Sequence, residues 1–266
     1  MDSFQELFTN ITQNPALLTF SIILLAFIIN AVARVTERKP MRPLSAMDAL
    51  PVMTGTSVES SRPLHISVGS ASLGDDSTVL TLLSNEFLYY ITRQVAVGDT
   101  PPLFTMSDSA TLPIATDTLR RAYTYESRLS ALNSYNPLSK QLLSLRWYPA
   151  GQRSLAFAAA LTTLQRDDEV TGNILVGRHG IEIALVLDAA YRNGRPSIAT
   201  SEQLDGQAIA FGMSDHSLIG EEIFTASAYL DSGTRLQRRN LAIDLLRGVV
   251  VATILGLFVF NLFQGG

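Results

Sequence analysis

The stretch GSASLG at residues 69–74 has the G-x4-G outline of a phosphate-binding loop. A working loop of that kind continues with Lys and then Ser or Thr, because a cation must meet the phosphates and a hydroxyl the magnesium. Here Asp75 and Asp76 follow instead, and two carboxylates repel a phosphate. The Walker reading fails on that charge. Gly69, Ser70 and Ser72 could still offer backbone N–H groups at a helix start to a weakly charged or neutral ligand. A plain loop is the preferred reading.

The second place where chemistry could sit is a repeated tripeptide. Met-Ser-Asp occurs at residues 106–108 and again at 213–215, just over a hundred residues apart. Ser and Asp accept hydrogen bonds from the free N–H groups of a helix start, which is typically worth about 1 kcal/mol. On this preferred reading Asp108 and Asp215 are equivalent caps, each placed where an apolar strand ends and a helix begins. The alternative makes them pseudo-symmetric carboxylates at the carboxyl ends of strands, where open α/β sheets bind ligands. Gly177 and His216 would then belong to the second copy of that ligand site.

Little else in the chain carries a catalytic signature. No G-x-G-x-x-G follows either candidate strand, so the dinucleotide fingerprint is absent. No G-x-S-x-G elbow occurs either. The three histidines, His65, His179 and His216, lack a second ligand at standard metal spacing. The acidic run Asp167, Asp168 and Glu169 reads as a solvated loop, and Trp147 with Tyr148 as an aromatic pair at a strand end. With no cysteine there are no disulfides and no thiol nucleophile. No catalytic residue, metal or cofactor is assigned.

The elements that must position these residues come in two similar sets. Thirty-seven residues before Met106 lies Gly69, closing HISVG; thirty-six before Met213 lies Gly177, closing NILVG. Val79, Leu80, Leu83, Phe87 and Ile91 recur at helical spacing after the first. After the second, IEIALVLDAAYRN ends on Gly194, a natural residue for a helix C-terminus. The segments PSIATS and QAIAFGMS read as buried strands. LLSLRWYPAG reads as a further strand, followed by an Ala-rich helix from about residue 155 to 165. Strand–helix–strand order favours a parallel sheet. The expected fold class is therefore α/β: two duplicated βαβα units, residues 64–125 and 171–232, joined by a strand and helix over 126–170.

The two ends differ from the middle in composition. The chain of 266 residues is 47% hydrophobic, with mean hydropathy +0.20, and the excess is terminal. Residues 16–35 and 241–263 are each apolar for long enough to cross the roughly 30 Å core of a bilayer. Both are read as transmembrane helices, with residues 1–15 an extracytoplasmic tail and 40–63 a linker. Arg34, Arg38, Lys39 and Arg42 follow the first run, and Arg235, Arg238 and Arg239 precede the second. Both basic flanks border the central region, so the positive-inside bias places that region in the cytoplasm and both termini outside. These side chains would meet anionic lipid head groups. Residues 62–233 hold twelve basic against eighteen acidic side chains, which argues against a nucleic-acid partner. Gly248, Ala252 and Gly256 lie four apart and form a small-residue face for close helix packing, within the chain or between copies.

The stretch MSDHSLIGEEIFTASAYL resembles a family of two-pass bacterial membrane proteins with no assigned function. The resemblance implies a bacterial cell membrane and carries over no site residue. The resulting expectation is a membrane-anchored, non-enzymatic scaffold or complex subunit that associates with itself and with membrane lipids, and with a possible membrane-protein partner. The alternative is a membrane-tethered regulator that binds a small ligand or nucleotide in the cleft between the repeats.

Overall fold

The computed structural model describes residues 43–98, 100–129, 144–149, 154–230 and 247–251. The chain divides into two compact units: the two termini (Met1–Met41 with Ser232–Gly266), and the central Arg42–Asp231. In the terminal unit only residues 247–251 are described, and they are helical. No helix among the described residues is long and apolar enough to cross a membrane. The two apolar runs and the basic flanks, Arg42 included, fall outside the described residues, apart from Gly248 and its neighbours. Ala252 and Gly256 also lie outside them.

The central unit runs α1 (Ser45–Ser60), β1 (His65–Gly69), α2 (Thr78–Val95), β2 (Leu103–Met106), α3 (Leu112–Leu129), β3 (Leu145–Trp147) and α4 (Ser154–Asp167). It continues with β4 (Asn173–Arg178), α5 (Ile183–Arg192), β5 (Ser197–Ser201), α6 (Leu204–Met213), β6 (His216–Ser217) and α7 (Glu222–Leu230). The six strands among the described residues are all parallel, in the order β3-β2-β1-β4-β5-β6. Each half of the sheet is thus a βαβαβ run that winds outward from the centre. HISVG and NILVG are the two central strands, and they pair with each other, His65 opposite Asn173.

Every residue of β1, β2 and β5 is buried. This is the pattern of strands covered on both faces, and it explains why they read as continuous apolar runs. Alternation along the strands divides the core. Ile66, Val68, Phe104, Met106, Ile174, Val176 and Ile198 face α1, α2, α3 and α7. Leu103, Leu175 and Ala199 face α4, α5 and α6. Helix α5 packs against both α4 and α6, as its apolar character requires.

Three expectations need correction. The segment read as the linker over 40–63 contains α1, which buries Ala46, Met47, Leu50 and Met53. Each of the larger of these side chains contributes about 2 kcal/mol on burial, so α1 is an integral part of the domain. Its apolar positions have helical spacing, which the Pro, Thr and Ser content obscured; Pro51 lies inside the helix.

QAIAFGMS, read as a strand, falls within α6 and the residue after it. A chain leaving β5 must return to the opposite edge before it can run parallel again. The ten residues of α6 span about 15 Å, enough to do so. The next strand is the two-residue β6.

The two Met-Ser-Asp copies are not equivalent, because of that same crossover. Asp108 follows β2 at the carboxyl edge of the sheet, whereas Asp215 precedes β6 at the amino edge. They cannot form one site.

Candidate functional site at the carboxyl edge of the sheet

In this strand order the crevice that α/β folds use for ligands lies between the carboxyl ends of β1 and β4. Here the chain's own groups span it. Trp147 at the end of β3 donates its indole N–H to the Ser107 carbonyl (3.1 Å). Ser107 donates through its N–H (3.0 Å) and its Oγ (3.1 Å) to the Gly69 carbonyl. Ser70 donates through its N–H (2.9 Å) and Oγ (3.1 Å) to the Arg178 carbonyl. Beyond β4, the His179 N–H donates to Ser201 Oγ (3.1 Å), whose hydroxyl donates back to the His179 carbonyl. The ends of five neighbouring strands are sewn together.

Gly69 makes the seam possible. Its φ is +62°, and an added Cβ would meet the Arg178 carbonyl and the His179 ring. Gly177 lies against the backbone of Val68, and Gly206, at the start of α6, against the His179 carbonyl. These contacts bring Gly69, Ser70 and Gly177, named above as candidate ligand residues, together in packing contact rather than around a space.

The anion position at the start of α2 is also filled. Asp75 Oδ1 accepts from the Ser77 N–H (2.9 Å) and the Ser77 hydroxyl (2.6 Å). Arg178, from the end of β4, pairs with both oxygens of Asp76 at 2.6 and 3.1 Å, and lies 3.6 Å from Asp75. The guanidinium hydrogen bond holds the Asp76 carboxyl below its usual range, and Asp76 in turn raises Arg178. The Ser72 N–H is spent on Ser77 Oγ (2.9 Å). A phosphate arriving here meets two carboxylates whose compensating cation is already engaged.

Two histidines are buried, His65 at the start of β1 on the amino edge and His179 just after β4 at the seam. His65 lies between β2 and β4, with Nδ1 2.8 Å from Asn173 Oδ1 and Nε2 2.9 Å from Thr105 Oγ1. His179 packs its ring against Gly69. Burial lowers both to about 4, so each is neutral near pH 7. The lack of metal spacing left each as a structural or exposed residue; burial decided for structural, since the neighbours of each come from distant strands.

Asp108 does cap: its Oδ1 accepts from the Ala110 N–H (2.7 Å) at a single 3-10 turn, Ser109–Thr111, that leads into α3. Asp215 instead ties two strands at the amino edge. Its Oδ2 accepts from the Ser197 N–H and hydroxyl, both at 2.8 Å, and its own N–H donates to Ser197 Oγ (3.1 Å). His216, the first residue of β6, lies at that same edge, away from the crevice. Asp108→Ala is expected to cost about 1 kcal/mol. Asp215→Ala is expected to cost about 2 kcal/mol, because it leaves the Ser197 N–H without its partner. Denaturant midpoints measured side by side check the order; equal losses would restore the equivalence of the two motifs.

Beside the seam, open space remains in a cleft of about 250 Å³ between the start of α2, the end of β5 and α7. Val79, Leu80, Ile223 and Phe224 form its apolar side, and Asp76, Glu202 and Gln207 its polar side. Glu202 and Gln207 carried no signal in the sequence, since only the β5–α6 turn brings them opposite α2. Among the described residues no group of three His, Asp or Glu side chains could hold a metal ion.

The family model described as a domain of unknown function, DUF6754, matches residues 4–264, nearly the whole chain. The chain belongs to the DUF6754 family. No curated protein and no solved structure matches it. In this DUF6754 chain the match takes in both apolar ends together with the α/β unit, so the family is defined over all three parts.

Proposed function

We propose that this DUF6754 protein is a non-enzymatic scaffold or complex subunit of a bacterial cell membrane. Residues 16–35 and 241–263 anchor it, and the α/β unit lies on the cytoplasmic side. The observation that carries this reading is the sewn crevice: where such sheets usually hold ligands, Ser70 after β1 bridges to the Arg178 carbonyl of β4, and the neighbouring strand ends are bonded to one another from Trp147 to Ser201. The long apolar runs and their basic flanks support two-pass anchoring and contact with anionic lipids. The small-residue face at Gly248, Ala252 and Gly256 supports self-association.

Native mass spectrometry of the detergent-solubilised chain tests this. The expected result is a particle of several copies that becomes smaller in the Ala252→Leu, Gly256→Leu double variant. A monomeric mass for the unaltered chain would end the self-associating scaffold reading. A second reading, a membrane-tethered regulator that binds a small ligand, is favoured by the cleft between α2 and α7, which is open where the crevice is not.

A further inference from the structure

Most polar groups at the carboxyl edge of the sheet are committed to partners within the chain. Asp75 holds Ser77, Asp76 holds Arg178, and Ser201 Oγ serves His179 and the Gln203 N–H. The carboxylate of Glu202 and the side-chain amide of Gln207 differ, because neither makes a hydrogen bond or ion pair among the described residues, and both line the same cleft. The charged side chains on the lining are the exposed carboxylates of Asp76 and Glu202; Arg178, outside the lining, engages Asp76 and feels the charge of Glu202, which leaves the lining acidic on balance. The opposite wall is apolar, with Leu80 and Ile223 buried and Val79 61% exposed at the rim. At about 250 Å³ the cleft falls below the roughly 300–1,000 Å³ of drug-sized sites, so a nucleotide is too large for it.

We propose that this cleft binds a small organic cation, an ammonium group on an apolar body. Glu202 and Gln207 receive the ammonium, and Val79, Leu80, Ile223 and Phe224 cover the body. The chain supplies its own precedent: the Arg178 guanidinium already lies on Asp76 from the neighbouring strand. The inference rests on the second reading above, that the cleft is a small-ligand site, and adds the charge and size of what enters it.

The test uses the full chain in neutral detergent and three probes with the same aromatic body: 2-phenylethylammonium, 2-phenylethanol and phenylacetate. Dissociation constants are measured by ligand-observed NMR at neutral pH. The ammonium is expected to bind about fivefold tighter than the alcohol, and the carboxylate weakest of the three. Glu202→Gln is expected to remove that fivefold preference with little change in melting temperature, since the exposed carboxylate makes no hydrogen bond and acts on Arg178 only through space. Val79→Trp, at the exposed rim, is expected to abolish binding of all three by filling the cleft. If the alcohol or carboxylate binds as tightly as the ammonium, or if Glu202→Gln keeps the preference, the assignment of a cation is wrong and the ligand site itself survives. If no probe binds at millimolar concentration, or if Val79→Trp changes nothing, the small-ligand reading falls with it.

Discussion

Lowering the pH from 7 to 5 is expected to destabilise the α/β unit by about 2 kcal/mol for each of its two buried histidines. His65 and His179 have folded-state values of about 4, against about 6.5 for an exposed imidazole. Desolvation is the largest cause for both. For His65 the Asn173 hydrogen bond opposes it, and for His179 the Glu182 carboxylate does. Between pH 6.5 and 4 the unfolded chain therefore binds protons that the folded chain refuses. The contribution is complete above pH 6.5, declines as the pH falls, and is fully lost once the pH passes below 4. The effect runs opposite to that of a histidine paired with a carboxylate, which gains stability on acidification.

Trp147 is the sole tryptophan and lies on β3, so its fluorescence follows unfolding of this unit. Denaturant titrations at intervals from pH 7.5 to 4.5 are expected to give a slope approaching two protons near pH 5. His65→Gln keeps a hydrogen-bonding group between Asn173 and Thr105 but cannot titrate, and is expected to halve the slope. A flat profile would mean that the rings are accessible to protons in the folded state.

Gly177→Ala is expected to cost about 3 kcal/mol or more and to prevent normal accumulation of the protein. A Cβ at residue 177 would collide with the carbonyl oxygen, carbonyl carbon and Cα of Val68 on β1. These are backbone atoms of the central strand pair and cannot turn aside as a side chain can. Relief would require β1 and β4 to separate, which breaks the ladder on both sides. Gly206→Ala meets the His179 carbonyl and Ser201 Oγ, so it pushes α6 off the seam with a similar cost. Gly212→Ala is the control, since an added Cβ there meets nothing within 4 Å. It is expected to be neutral or slightly stabilising, because Ala suits a helix better than Gly. Expression level and denaturant midpoint of the three variants check this. A Gly177→Ala protein as stable as the parent would mean that the two central strands have room to part.

The alternation of short apolar runs with helical spacing was enough to indicate a parallel α/β unit and to mark HISVG and NILVG as strands, while their place as the central pair came only from the sheet. The charge of Asp75 and Asp76 was enough to exclude a phosphate loop. These features are local: hydrophobic period, turn chemistry and charge act over a few residues and survive in the order of the letters. Helix α1 was missed because Pro51 and several Thr and Ser residues suggest a linker, although Thr54 and Thr56 return their hydroxyls to the carbonyls of Leu50 and Val52, one turn earlier.

What tertiary structure alone decided is which edge of the sheet each motif occupies. Met-Ser-Asp looks the same at 106 and 213, yet one copy leaves a strand and the other enters one, because α6 takes up the crossover between them. A tripeptide carries no record of how many times the chain has reversed before it. The same holds for the pairing of His65 with Asn173, 108 residues later, and for the bond from Ser70 to Arg178 that closes the crevice. Each depends on two strands lying side by side in a fixed register, a choice made by burial of the whole sheet on both faces rather than by either residue.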